Sequence, residues 1–265
     1  MITHPGFDPV AISIGPLSVH WYGLMYLAGF IAGVMLGRLR ASRPGSGWKP
    51  EEITDLVVYI ALGVILGGRL GYVLFYNLSH YFANPAGILA IWDGGMSFHG
   101  GLLGVIVAMW LYGRRTARSL LAVSDFMAPL VPAGLLFGRI GNFINQGLWG
   151  KPTDLPWGVL FQTMPDHARH PSQLYEAGLE GVLLFILVWW YAARKRPEGQ
   201  VAGFFLLGYG VFRFLVEFVR EPDAHLGPVA LEWISMGQVL SLPMVLLGGW
   251  LLLRSGRNPP KKSSS

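Results

Sequence analysis

The sequence predicts an all-α, polytopic integral membrane protein with seven transmembrane helices and a small outward head formed by loops. Three observations carry that expectation. Of 265 residues, 52% are hydrophobic and only 13% are charged, about half the charge of an average soluble domain. Seven apolar stretches approach the roughly 20 residues that a helix needs to cross hydrocarbon. Fourteen of the twenty Lys and Arg residues fall on one side of a seven-span arrangement, the pattern of short cytoplasmic loops.

The first span, near 19–39, opens on Trp21 and Tyr22 and runs into Arg38, Arg40, Arg43 and Lys49. The second, near 53–76, carries Gly63, Gly67 and Gly71 every four residues, a flat face for close helix contact. The third, near 96–112, is short and ends on Arg114, Arg115 and Arg118; the fourth, near 120–140, holds Asp125, Pro129 and Pro132. Both are candidates for tilted, broken or partly internal helices. The fifth, near 174–193, meets Arg194, Lys195 and Arg196. The sixth lies near 202–219, and the seventh, near 234–253, precedes Arg254, Arg257, Lys261 and Lys262. The N-terminus is therefore expected outside and the C-terminus inside. Trp110, Tyr112, Trp189, Trp190, Tyr191 and Trp233 fall at span ends, where amphipathic rings prefer the interface.

No hydrophilic stretch is long enough for a separate domain, so residues 1–265 read as one membrane domain. An outward loop at about 143–172, dense in Pro, Gly, Asp and Trp, is expected to be structured, and the tail at about 254–265 to be disordered. The start, "MITHPGFDPV", lacks a basic region and a small-residue cleavage site, so the first hydrophobic segment is expected to remain as an anchor. Topology and anionic inner-leaflet lipid account for the net charge of +5 without nucleic acid. The absence of cysteine excludes disulfides, thiolate metal sites and a cysteine nucleophile. His20, His167, His170 and His225 lie in or near outward loops with no metal-ligand spacing. Neither a metal nor a cofactor is expected.

Six cations remain once the cytoplasmic fourteen are set aside: Arg69, Arg139, Lys151, Arg169, Arg213 and Arg220. A charge at membrane depth is costly, and faces a water-filled cavity, a carboxylate or a bound anion. In "YGVFRFLVEFVREPD", Tyr209, Arg213, Glu217 and Arg220 project from one helical stripe. Glu217 is able to neutralise one arginine as a buried ion pair. That leaves one guanidinium on this face which, with Arg139, forms a two-arginine cradle suited to a phosphate. Gly138 and Gly141 flank Arg139, while Asn142, Asn145 and Gln146 offer amides either to a polar headgroup or to loop backbone. His99, followed by two glycines at the start of a helical run, is either a satisfied interfacial group or a base.

The segment "GRIGNFINQGLWG" closely resembles the signature of bacterial prolipoprotein diacylglyceryl transferases, together with "HWYGLMYL", "GGRLGYV", "GGMSFHGGLLG", "RHPSQLYEA" and "YGVFRFLVEFVREPD". The resemblance runs in order over nearly the whole chain. It implies a multi-pass protein of the bacterial inner membrane, with seven helices, a periplasmic N-terminus and head, and a cytoplasmic C-terminus. It also implies transfer of the diacylglyceryl group of phosphatidylglycerol to the lipobox cysteine thiol of preprolipoproteins, forming a thioether and releasing glycerol 1-phosphate. The implied partners are phosphatidylglycerol, preprolipoprotein signal peptides and membrane lipids. The family's functional positions fall on Tyr22, His99, Arg139, Asn142, Gly150, Tyr209, Arg213 and Glu217. Of these, His99, Arg139 and Arg213 are expected to be catalytic, and Tyr22, Asn142, Gly150, Tyr209 and Glu217, joined by Arg220 from the same stripe, to bind substrate. One position departs: the family's usual acidic residue is Gly147 here. A phospholipid-binding homologue without turnover and an anion or phospholipid transporter are the competing readings, although no second polar cluster marks the cytoplasmic ends.

Overall fold

The structure, a computed structural model, describes residues 2–15, 17–221, 228–230 and 234–255. The tail from residue 256, His225 and Trp233 lie outside the described residues.

Strands β1 (Ile2–Thr3), β2 (Val10–Ile14) and β3 (Leu17–His20) precede helix α1 (Trp21–Ala41), then α2 (Glu52–Phe75) and the short α3 (Leu78–Ala83). Next come α4 (Phe98–Arg115), α5 (Leu120–Met127) and α6 (Val131–Ile144), followed by strands β4 (Val159–Phe161) and β5 (Met164–Arg169). Helix α7 (Ser172–Glu176) continues through a π-helical stretch, Ala177–Leu183, into α8 (Leu184–Tyr191). Helix α9 (Gln200–Val216), strands β6 (Pro228–Ala230) and β7 (Ile234–Ser235), and α10 (Met236–Ser255) complete the order.

Among the described residues the fold is mostly helical, as expected, with seven short strands beside the helices. Each of the seven anticipated spans contains a helix. Among the described residues, however, four are long and apolar enough to cross a membrane: Trp21–Ala41, Glu52–Phe75, Ser172–Tyr191 and Met236–Arg254. Helices α5 and α6 form a fifth only if counted as one span bent by 52°. The bend falls where Pro129 and Pro132 interrupt the backbone ladder. Helix α9, at 17 residues, is apolar but shorter.

The chain divides into two compact units, one of Val34–Ser124 and the other of Met1–Gly33 with Asp125–Ser265. In the first, α2 and α4 meet backbone to backbone. A Cβ on Gly63 would stand 2.6 Å from the Gly104 carbonyl oxygen, and one on Gly67 would stand 2.7 Å from Gly104 Cα. Only hydrogen fits at these positions. Buried Arg69 donates to the carbonyls of Ile88 (2.9 Å), Gly87 (2.6 Å), Gly95 (3.1 Å) and Gly94, and it lies 5.2 Å from the centre of the Tyr81 ring. Its charge is spent on fixing the connection that leads into α4, whose first turn Ser97 caps by accepting from the Gly100 N–H at 3.2 Å.

In the larger unit, Ala128, Leu184, Val188 and Val201 form a buried core flanked by Tyr191, Phe204, Phe205, Tyr209 and Phe212. Helices α9 and α10 also approach closely: a Cβ on Gly210 would lie 3.1 Å from the Ser241 carbonyl oxygen, and one on Gly248 would lie 2.6 Å from Leu207 N. Asp125 accepts from the backbone N–H groups of Gly199 (2.6 Å) and Ala202 (2.8 Å), satisfying donors at the start of α9. The anticipated outward loop carries a small sheet in the order β1-β4-β5, with β1 parallel to β4 and β5 antiparallel to it. His4, 2% exposed, ties the N-terminus to α6. Its Nδ1 accepts from the Gly6 N–H (3.0 Å), so Nε2 carries the proton and donates to the Phe143 carbonyl (3.0 Å).

Candidate functional site: a buried arginine–glutamate cluster

The end of α6, the α7–π segment and the end of α9 bring six ionisable side chains together. Arg139 lies two residues before Gly141, whose missing side chain lets Tyr22 and Met25 close on that turn; a Cβ there would sit 3.2 Å from the Tyr22 ring. The Arg139 Nε is 2.5 Å from Glu176 Oε2, and its Nη2 is 3.6 Å from Glu180 Oε2. From α9, Arg213 Nη1 donates to Glu176 Oε1 at 3.2 Å while its Nη2 meets Glu217 Oε2 at 2.7 Å. Arg220 is 3.7 Å from Glu217 Oε1 and 3.8 Å from Glu176 Oε1. Glu176, which touches all three arginines, is the hub.

The carboxylates are almost wholly buried, with side-chain exposure of 1% for Glu176, 0% for Glu180 and 3% for Glu217. The guanidiniums keep 10–17%. The acids therefore form the floor of the cluster and the bases its exposed layer, which is the polarity an anion needs. Glu176 and Glu180, four residues apart at the start of and within the π-helical stretch, share one face of that helix, and both reach Arg139 from it.

Most of the expected site residues gather here. Arg139, Arg213, Arg220 and Glu217 are in the cluster itself. Tyr209 lies one turn before Arg213 and interacts electrostatically with Arg139, Arg213, Glu176 and Glu180. Asn142, one turn after Arg139 and half-buried, makes no side-chain hydrogen bond among the described residues and is free for a ligand. Among the described residues Tyr22 bonds only to Tyr26, hydroxyl to hydroxyl at 3.1 Å, and it is 36% exposed. Gly150 has a different part. A Cβ on it would lie 2.5 Å from the Val219 carbonyl and 2.7 Å from His170 Cβ, and its N–H donates to the His170 carbonyl at 2.9 Å. It pairs with Arg220 as a β-bridge and thereby sets where that arginine leaves the chain. His99 belongs to the other unit, at the second position of α4; it is exposed, touches the Phe98 ring and forms no hydrogen bond among the described residues.

The expected charge balance is corrected. Three arginines with Glu217 as their one carboxylate become three arginines facing three carboxylates, because Glu176 and Glu180 come in from a span that reads as apolar. The sequence does carry a signal for them: two glutamates four apart inside "LYEAGLEGVLLF" need buried partners. The other set-aside cations are structural. Lys151 donates to the Phe218 carbonyl at 2.9 Å, and Arg169 pairs with Glu221 at 3.0 Å beside Trp149. At Gly147, a Cβ would meet nothing within 4 Å.

Comparison with known proteins places this geometry in context. Residues 9–254 match the family model described as prolipoprotein diacylglyceryl transferase. A relative named phosphatidylglycerol–prolipoprotein diacylglyceryl transferase, from Nitratidesulfovibrio vulgaris strain DP4, is 61% identical over 97% of both chains. Proteins of the same name are 58% identical over the full length of both chains in Solidesulfovibrio magneticus, and 55% identical over 95% of this chain and 98% of the relative in Legionella pneumophila strain Paris.

Proposed function

Because this chain belongs to the prolipoprotein diacylglyceryl transferase family, we propose that its buried arginine–glutamate cluster is the phosphate site of that transfer reaction. The protein is a multi-pass membrane transferase, and its substrates are phosphatidylglycerol and a prolipoprotein. The acceptor is the cysteine thiol of the lipobox. The product is a thioether, with glycerol 1-phosphate as coproduct. The observation that carries this reading is the layering of the cluster: three guanidiniums over three buried carboxylates, within a chain that the family matches over residues 9–254.

In the reaction, sulfur attacks the glyceryl carbon that bears the phosphate. The sulfur–carbon bond forms, the carbon–oxygen bond breaks, and the electron pair leaves on the phosphate oxygen. Arg139 and Arg213 stabilise that growing charge from a site where little water competes. Arg220 adds a third positive group; Asn142, Tyr209 and Tyr22 orient the headgroup. Glu217 holds Arg213, and Gly150 sets the exit of Arg220. His99 takes the thiol proton, a reading that rests on its imidazole and its unengaged ring nitrogens; a thiol with a pKa of about 8.5 needs only modest help near neutrality. The cation asymmetry puts the N-terminus and the small sheet in the periplasm and the C-terminus in the cytoplasm.

The test is an assay of the purified protein with phosphatidylglycerol and a lipobox peptide, following glycerol phosphate release and peptide mass, with a Cys→Ser peptide as control. The expected result is equimolar release and mass gain for the cysteine peptide alone. Release without mass gain, or modification of the serine peptide, would overturn the reading.

A further inference from the structure

With three guanidiniums facing three carboxyl groups, each arginine already has an acidic partner before any ligand arrives. An incoming phosphodiester must therefore compete with anions the protein already holds. Those three are not equivalent. Glu217 sits 2.7 Å from Arg213, and Glu176 sits 2.5 Å from Arg139 and 3.2 Å from Arg213. Among the described residues Glu180 has one ion-pair partner, Arg139 at 3.6 Å, which is beyond hydrogen-bond length. Neither of its oxygens accepts a hydrogen bond among the described residues, although the residue is fully buried. Of the three acids, Glu180 is thus the one whose exchange disturbs the cluster least, and it lies on an arginine assigned to the phosphate.

We propose that Glu180 is a competing internal anion: the lipid phosphate takes Arg139 from it on binding, and Glu180 takes the arginine back as glycerol phosphate leaves. This inference rests on reading the cluster as the phosphate site. Its consequence is for turnover. The diester enters with one negative charge, whereas the monoester that departs carries about −1.5 to −2 near pH 7. Unopposed arginines would hold product more tightly than substrate. A carboxylate beneath Arg139 opposes the dianion more strongly and favours its release. Glu180 is in this sense a positioning residue that acts through Arg139.

The experiment uses the full chain in lipid nanodiscs, titrated calorimetrically with glycerol 1-phosphate and assayed for turnover of phosphatidylglycerol. Glu180→Gln keeps the shape and removes the charge. It is expected to bind glycerol 1-phosphate about tenfold more tightly, a gain of ~1.4 kcal/mol, with a lower KM for the lipid and a lower kcat limited by release. General damage to the site moves affinity the other way, so tightening separates competition from mere structural support. Unchanged or weaker binding by Glu180→Gln, while Arg139→Gln abolishes binding, would overturn the proposal and leave the phosphate site standing. Wild-type affinity in Arg139→Gln would sink the phosphate-site reading itself. Should Glu180→Gln fail to accumulate, Glu180→Asp withdraws the carboxylate by one methylene and is expected to tighten binding in the same direction by a smaller factor; no tightening there counts against the proposal equally.

Discussion

Gly237, in the first turn of α10, is expected to control the cluster without belonging to it. A Cβ added there would stand 2.6 Å from Glu217 Cδ and 2.7 Å from each of its carboxylate oxygens. Ordinary contact for such a pair begins near 3.4 Å, so the Gly237→Ala variant must move the carboxylate by roughly 0.8 Å, the difference between 3.4 and 2.6 Å. The far end of a free glutamate makes that shift at little cost. Glu217 is not free: it is 2.7 Å from Arg213 and 3.7 Å from Arg220, and its side chain is 3% exposed. Overpacking of this kind typically costs about 1–3 kcal/mol. If half of that falls on the position of Arg213, turnover drops by roughly two- to tenfold. Glu217→Asp, shorter by one methylene, restores the space, so the double variant Gly237→Ala with Glu217→Asp is expected to be more active than the two separate losses allow. The assay is kcat/KM with phosphatidylglycerol and lipobox peptide for the four proteins of the cycle, beside their melting temperatures. Wild-type turnover in Gly237→Ala, or strictly additive losses in the double variant, would refute the argument that Glu217 holds Arg213 in its working position.

Two further outcomes follow from residues outside the cluster. Gly147→Glu faces open space, so it is expected to leave stability within about 0.5 kcal/mol of the parent, read as an unchanged melting temperature; a large loss would mean that the segment after Asn145 is more crowded than its geometry implies. His4 is held neutral, with burial pushing its pKa below the usual histidine value more strongly than its bond to the Phe143 carbonyl raises it. The unfolded chain therefore binds the proton more readily, and the stability contributed by His4 is full above about pH 6.5 and declines as the pH falls below it. The wild type is expected to lose more melting temperature between pH 7.5 and pH 5 than His4→Gln does, and equal losses would contradict this account of the His4 site.

Much of this was legible in the sequence, for identifiable physical reasons. The glycine run at Gly63, Gly67 and Gly71 signals close helix packing because the spacing is local to one helix, and α2 does meet α4 there. Pro129 and Pro132 signal an interrupted helix, and the chain bends between α5 and α6. The stripe Tyr209, Arg213, Glu217 and Arg220 is helical arithmetic, and it reaches the cluster intact. What escaped depended on contacts distant in sequence. The β1–β4 pairing joins Ile2 to Val159, and no local pattern announces it. Glu176 and Glu180 were hidden by their surroundings: in an apolar run, attention to cations passes over the acids that must neutralise them. The structural duty of Gly150 is invisible from sequence, since it is set by the backbones of Val219 and His170 on either side.

The most direct test of the phosphate site is a single-turnover measurement of thioether formation at saturating phosphatidylglycerol, comparing the wild type with Arg139→Gln and Arg213→Gln. Loss of one preorganised donor to a developing anion typically costs about a hundred to a thousandfold. The account expects each variant to be slower by that order while the peptide still binds. Rates within threefold of wild type in either variant would contradict it.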